Sequence, residues 1–237
     1  MSQVTRTSSR TEGLERYLPP PDGESRATAE MVAETLRNAI SHGVLPAGMP
    51  LRQDHIAAHF AISHIPVREA LQQLISDGLV EFIRNKGAVV SQLSAKVAHE
   101  LTEFRFILEG QLIRWSTPRI TAAHVRDAEV ILAELDDANE IDKVLDLSKS
   151  FHYKLYEPAE RPFFMAEIDK VRANLRRYLR LAYNTSGYKK DSQDEHWKLL
   201  KFVRNGDAEE AADLVQKHIQ ATGGLICKYL LENVPSK

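Results

Sequence analysis

The 237-residue chain holds one cysteine, Cys227. A lone cysteine cannot close an internal disulfide, and without a second thiolate it is a poor start for a structural zinc site. It is therefore read as packing. No run of 18 apolar residues occurs, which leaves no candidate for a membrane-spanning helix and implies no membrane partner. The opening stretch MSQVTRTSSR lacks the apolar centre of a secretory signal, so the expected location is the cytoplasm. A dominant charge is missing as well. The formal net charge of −2 gives no global attraction to nucleic acid, and any such binding must come from local placement.

What is present is enough apolar sequence, 43%, to bury one or two modest cores. Residues 1–25 show no apolar period and run into LPPPDGE, which predicts a flexible arm. From Arg26 to Ile40 the positions Ala29, Met31, Val32, Leu36, Ala39 and Ile40 follow a helical spacing, and Gly43, Pro46, Gly48 and Pro50 then impose a turn. Two short helices follow. QDHIAAHFAI offers Ile56, Ala57 and Phe60 to a core. SHIPVREALQQLISDG starts at a capping Ser63, tolerates Pro66 in its first turn and offers Val67, Leu71, Leu74 and Ile75. LVEFI and AVVSQL, joined by RNKG, read as a hairpin with a basic tip. Three helices and a hairpin over residues 26–93 are the order of a winged helix-turn-helix. Residues 94–237 show no strand pattern. Helical stretches near 95–116, 121–138, 141–156, 162–184, 191–205 and 207–232 are punctuated by Pro118, Pro158, Pro162, Gly187 and the NGD at 205–207. Their short connections predict an antiparallel, all-α bundle. Gly223 and Gly224 each disfavour the last helix by about 1 kcal/mol relative to Ala, with only a kink or a tight helix contact to explain them.

On the helix beginning at Ser63, the core set leaves His64, Arg68 and Gln72 on the opposite face. Arginine can grip guanine or phosphate, histidine can hydrogen-bond a guanine edge, and Ile65 suits a thymine methyl. The competing reading is that Arg68 pairs with a nearby acid and His64 is merely solvated. Six basic and six acidic side chains balance over residues 26–95. Yet Arg52, Arg68, Arg84 and Lys86 fall where a winged helix meets backbone and grooves. A symmetric homodimer on two half-sites would double these contacts.

Of nine histidines, His152, His196 and His218 sit on separate helices of the second half at inward-leaning positions. One at a time, each reads as a satisfied core residue. Histidines from three helices can also converge on a metal inside a bundle. Arg105 lies four residues before Glu109, where one reading is an exposed i,i+4 surface pair worth a few tenths of a kcal/mol, and the arginines at 172, 176, 177 and 180 read as a solvated or interface face.

The stretches GVLPAGMPL, SHIPVREALQQLISDGLV and NKGAVVSQL resemble the elements of the GntR family of transcription regulators. FRFILEG, FHYKLYEPAERPF and EHWKLLKFVRNGDAEEAADLVQKHI resemble the all-helical FCD effector domain of its FadR-like subfamily. Together the matches cover nearly all of residues 26–232. The resemblance implies an operator-DNA partner, with Ser63 and Arg68 carried over by identity, and Arg84, Lys86 and Gly87 by position in the wing. His64 and Ile65 stand where the family usually has Arg and Thr or Ser. Losing a bidentate guanine contact retunes base choice by about 1–3 kcal/mol per half-site. In many FCD domains an Asp and three His hold a divalent metal on the floor of a cavity for a small carboxylate. The resemblance gives His152, His196 and His218 that role, and Arg105 a grip on the effector's carboxylate. Ser148 stands at the usual Asp position, which favours zinc or nickel over calcium or magnesium.

The combined expectation is a dimeric, ligand-responsive DNA-binding regulator, a repressor rather than an enzyme. Two alternatives stay open: a metal-free FCD regulator of an apolar or acyl ligand, and a three-histidine metal enzyme. For the latter, Ser148 with no acid of fixed register is a weak participant.

Overall fold

The computed structural model describes residues 27–183 and 188–233. The arm expected over 1–25 and the break expected at Gly187 lie outside them. The chain divides into two compact units between Gln92 and Leu93.

The first unit opens with α1 (Ala29–Ser41), whose N–H of Met31 donates to the capping Thr28 hydroxyl at 3.2 Å. Val32, Ala33, Leu36, Ala39 and Ile40 are buried, whereas Met31, expected on the apolar stripe, is 50% exposed. The stripe is centred one position later, on Val32, Leu36 and Ala39. Helix α2 (Gln53–His59) and helix α3 (His64–Ser76) follow. Ser63 stands at the N-cap of α3 but its side chain makes no capping bond, which corrects the capping role expected for it. Val67, Ala70, Leu71 and Leu74 of α3 join Leu36, Ile40, Ile56 and Phe60 in one core.

Strands β1 (Val80–Ile83) and β2 (Gly87–Val90) pair antiparallel, with Val80 opposite Val90 and Ile83 opposite Gly87. The paired register ends β2 at Val90, with one further bond from Ser91 N–H to Leu79 O at 3.0 Å. The run AVVSQL is therefore a strand only in its first half. Asn85 and Gly87 turn the hairpin with positive φ of 68° and 78°. The segment around Pro50 adds a third edge, with Leu51 N–H donating to Ala88 O and Val90 N–H to Met49 O. The prolines and glycines of GVLPAGMPL hid that edge, since they read as turn alone.

The second unit contains α4 (Ala95–Ser116), α5 (Ala122–Asp137), α6 (Ile141–Tyr156), α7 (Pro162–Ala182), α8 (Tyr188–Asn205) and α9 (Ala208–Asn233). Short 3-10 turns at Thr117–Arg119 and Glu157–Ala159 follow α4 and α6, where prolines at their starts rule out further α-helix. The main core gathers Leu112, Leu132, Phe151, Leu155, Tyr156, Leu199, Val215 and Ile219. A smaller one joins Ala98, Tyr178, Ile226 and Leu230, with Cys227 packed at its edge.

Helices α4 and α9 lie so close that a Cβ on Gly223 would collide with the Thr102 side chain. That contact accounts for Gly223. Gly224 faces open space and has no such reason. No helix among the described residues is long and apolar enough to cross a membrane.

Candidate metal centre and DNA-reading surface

In the second unit three helices each deliver one histidine to the same point. His152 comes from α6, where the 3.6-residue period places it one turn before Tyr156, and it is 1% exposed. His196 comes from α8 and is 2% exposed; His218 comes from α9 and is 7% exposed. Helix α8 starts at Tyr188, earlier than the sequence pattern indicated, so His196 lies well inside it rather than in its first turn. The ring centroids are 4.8 to 5.3 Å apart, and one nitrogen from each ring lies within 4.8 Å of the others.

The outward nitrogen of each ring is occupied. The Gln193 side-chain N–H donates to the Leu132 carbonyl at 3.1 Å, so its oxygen is turned to accept from His196 Nδ1–H at 3.1 Å. Glu195 accepts from His218 Nδ1–H at 2.7 Å. The Tyr156 hydroxyl donates to Glu109 at 2.6 Å, which leaves its oxygen to accept from His152 Nδ1–H at 3.3 Å. Each ring thereby carries a proton on Nδ1, which leaves Nε2 as the nitrogen available to a metal. The Nε2 atoms of His152 and His196 are buried with no hydrogen-bond partner. Leaving such an atom unsatisfied costs about 1–3 kcal/mol, and a metal ion would satisfy both.

Burial, reinforced for His152 by Arg172 and for His196 by His218, holds both imidazoles well below the usual histidine range. They are neutral at pH 7, the form that binds metal. A buried, all-imidazole donor set fits zinc or nickel and has no oxygen donors for a hard ion.

Beside the cluster lies a charged core that the sequence reading did not foresee. Glu109 is fully buried and holds Arg105 Nε at 2.5 Å and Arg172 Nε at 3.3 Å, with a shorter contact to Arg172 Nη2. Burial alone would raise the Glu109 carboxyl; Arg105 and Arg172 outweigh it and hold it at about 2. The exposed Arg105–Glu109 pair weighed from the sequence is corrected on one point. The pair exists, but inside the unit, because Arg172 reaches Glu109 from α7. Of the solvated or interface face expected on α7, the solvated reading is corrected with it. Arg176 reaches Asp142 and Asp146, Arg180 reaches Asp142, and Arg177 is buried beside Asn174. Ser148 lies one turn before His152 and is half-buried.

Glu109, Tyr156, Arg172, Gln193 and Glu195 are the members missed from the sequence. Helical spacing signalled three of them: Tyr156 follows His152 by four residues, Gln193 precedes His196 by three, and Arg105 precedes Glu109 by four. Arg172 and Glu195 meet their partners only through the packing of different helices.

In the first unit, Arg52, Ser63, His64, Ile65, Arg68, Arg84 and Lys86 are all exposed, and Gly87 closes the wing turn. Ile65 is 67% exposed in the first turn of α3, a costly place for an isoleucine facing only water. Arg68 makes no ion pair with any described residue, whereas His64 Nδ1 lies 3.7 Å from Asp54. The face opposite the α3 core is thus a polar strip with one isoleucine at its N-terminal end.

Residues 28–90 match the gntR family of bacterial regulatory proteins, and residues 100–221 match the FCD domain. The chain belongs to the GntR family. It is similar to a GntR family member from Pseudomonas syringae pv. tomato str. DC3000 of known crystal structure. That likeness is 30% identity over 98% of each chain, with a TM-score of 0.55. It is also 27% identical to the probable D-xylose utilization operon transcriptional repressor of Paenarthrobacter nicotinovorans, over 83% of this chain and 89% of that one. The Nta operon transcriptional regulator of Aminobacter aminovorans is 25% identical over 77% of this chain and 86% of its own. These relatives are regulators, and this GntR protein is a DNA-binding transcriptional regulator with an FCD domain.

Proposed function

We propose that this GntR regulator is a cytoplasmic homodimeric repressor whose operator affinity is set by a small organic acid bound on a divalent metal in the helical unit. One observation carries the reading: three buried histidines bring one nitrogen each to a common point while their Nδ1 atoms are held by neighbours. Residues 26–93 read the operator. His64, Ile65 and Arg68 face the groove from α3, Arg84, Lys86 and Gly87 follow the backbone from the wing, and Arg52 and Ser63 contact phosphates. Residues 94–237 bind the effector and dimerise. His152, His196 and His218 would hold zinc or nickel, which when bound supplies a Lewis-acidic anchor for an oxygen ligand. The protein's own part is orientation. Tyr156, Gln193 and Glu195 fix the rings, and Arg105 and Arg172 give the site a positive edge suited to a carboxylate. The buried histidines and ion pairs make this a poor receptor for an acyl chain.

Control of DNA binding requires that the effector favour one placement of the two DNA-reading units by roughly 1–3 kcal/mol. The test begins by selecting operators from random duplexes with the full-length protein, then measuring gel shifts on metal-depleted and zinc-loaded protein. His152→Ala, His196→Ala and His218→Ala should each lose bound zinc and lose any zinc-dependent change in operator affinity. Undiminished zinc in all three variants would end the metal reading.

A further inference from the structure

Two large apolar side chains of the first unit are left mostly in water, Ile65 and, at 70% exposure, Phe82. Ile65 belongs to the reading face of α3. Phe82 lies on β1, where strand alternation puts it on the same side of the hairpin as Val80. Across the ladder, Val80 faces Val90 and Phe82 faces Ala88. Val80, Ala88 and Val90 are buried members of the core, whereas among the described residues Phe82 is not packed into it. The inward side of the hairpin therefore runs off the core at Phe82, and Ala88 is too small to cover the ring. Phe82 is carried out with the tip of the wing, two residues before Arg84 and four before Lys86, both of them exposed.

Holding such a ring in water is unfavourable, and covering it on binding recovers that loss. The cations beside it select a polyanion, and this chain belongs to a family of DNA-binding regulators, so the covering partner is the operator duplex. With α3 in the major groove, a two-stranded tip beside it meets the adjoining backbone and minor groove, whose walls are deoxyribose. Two residues of strand span about 7 Å, close to the minor groove's width of about 6 Å. With Arg84 and Lys86 on the phosphates that border the groove, a ring two residues back reaches those walls. We propose that Phe82 packs against the deoxyribose wall of the operator's minor groove and supplies affinity through apolar burial rather than charge. The inference rests on the wing placement of Arg84 and Lys86 proposed above and adds to it a contact that releases no counterion.

The test uses an operator selected from random duplexes with the full-length protein. Fluorescence anisotropy across a series of potassium chloride concentrations reads affinity, and hydroxyl-radical cleavage reads which minor-groove sugars are covered. Phe82→Ala should weaken binding by roughly 10–100-fold, the scale of burying one phenylalanine side chain, with the slope of log Kd against log salt unchanged. Arg84→Ala should instead reduce the magnitude of that slope by about 1. Sugars protected by the wild type beside each half-site should become cleavable under saturating Phe82→Ala, while major-groove guanines covered by α3 stay protected from methylation. Phe82→Leu, which keeps an apolar side chain on the strand, should recover most of the affinity. Circular dichroism melts of both Phe82 variants should match the wild type, because the ring is mostly exposed. Wild-type affinity and sugar protection in Phe82→Ala, with Arg84→Ala still weakening binding, would overturn the contact and leave the wing on the DNA. A loss in Phe82→Ala that came with a reduced salt slope would overturn an apolar contact, since cations would then have moved. Unchanged binding in both Phe82→Ala and Arg84→Ala would remove the wing from the DNA and the contact with it.

Discussion

Replacing Glu109 by Gln tests the charged core on its own, without DNA, metal or effector. Glu109 is fully buried and is the shared partner of Arg105 and Arg172, whose side chains are 7% and 11% exposed. The amide can accept from one guanidinium, but its NH2 group faces donors from the other guanidinium or from Tyr156. Removing one member of a buried ion pair costs about 3–5 kcal/mol, because the remaining charge is left without compensation. Both tryptophans, Trp115 and Trp197, lie in the helical unit, so fluorescence in urea follows that unit alone. With a slope of about 2 kcal/mol/M, the midpoint should fall by roughly 1.5–2.5 M at pH 7. The pH dependence gives an independent check. The carboxyl is lowered from its ordinary 4.5 to about 2 in the folded protein, so its stabilisation is complete above 4.5 and lost as pH falls toward 2. The gap between wild type and Glu109→Gln should therefore shrink below pH 4.5. A midpoint shift under about 0.5 M at pH 7 would mean that neither guanidinium depends on Glu109.

Arg68→Ala should abolish the shift of a selected operator while changing stability by no more than about 0.5 kcal/mol, as befits an exposed side chain; an unchanged gel shift would remove α3 from the groove. Ile65→Ala should weaken operator binding only when the half-site keeps a particular thymine. Replacing that thymine by deoxyuridine should reproduce the loss in wild type and add nothing in the variant, whereas additive losses would mean Ile65 does not meet the methyl. Gly223→Ala should destabilise the helical unit by about 1–3 kcal/mol, because its Cβ would collide with Thr102. Gly224→Ala should instead stabilise by up to about 1 kcal/mol, and equal effects at the two positions in urea unfolding would contradict the α4–α9 packing.

The periodic helices of the bundle were legible because their stripes are regular: Ala95–Ser116 and Ile141–Tyr156 begin and end where the apolar spacing and prolines place them. Less legible was the third edge of the wing, where Pro50 and its neighbouring glycines carry a turn signal and an edge-strand role at once. The three histidines could be picked out by their inward positions on separate helices. Their Nδ1 partners could be picked out only where partner and ring share a helix. Arg172 shows the limit most plainly. Its helix carries arginines on several faces, and period alone cannot tell which one turns toward a buried glutamate on α4. Gly223 shows the same limit in packing, since a close crossing of two helices leaves no mark on either taken separately.

The proposed regulation depends above all on His152, His196 and His218 together holding a divalent ion through Nε2. X-ray absorption of zinc-loaded, full-length protein measures that directly. Three imidazole nitrogens are expected at about 2.0–2.1 Å, with the remaining positions filled by oxygen. A first shell of oxygens without imidazole scattering, or one containing the sulfur of Cys227, would contradict this coordination.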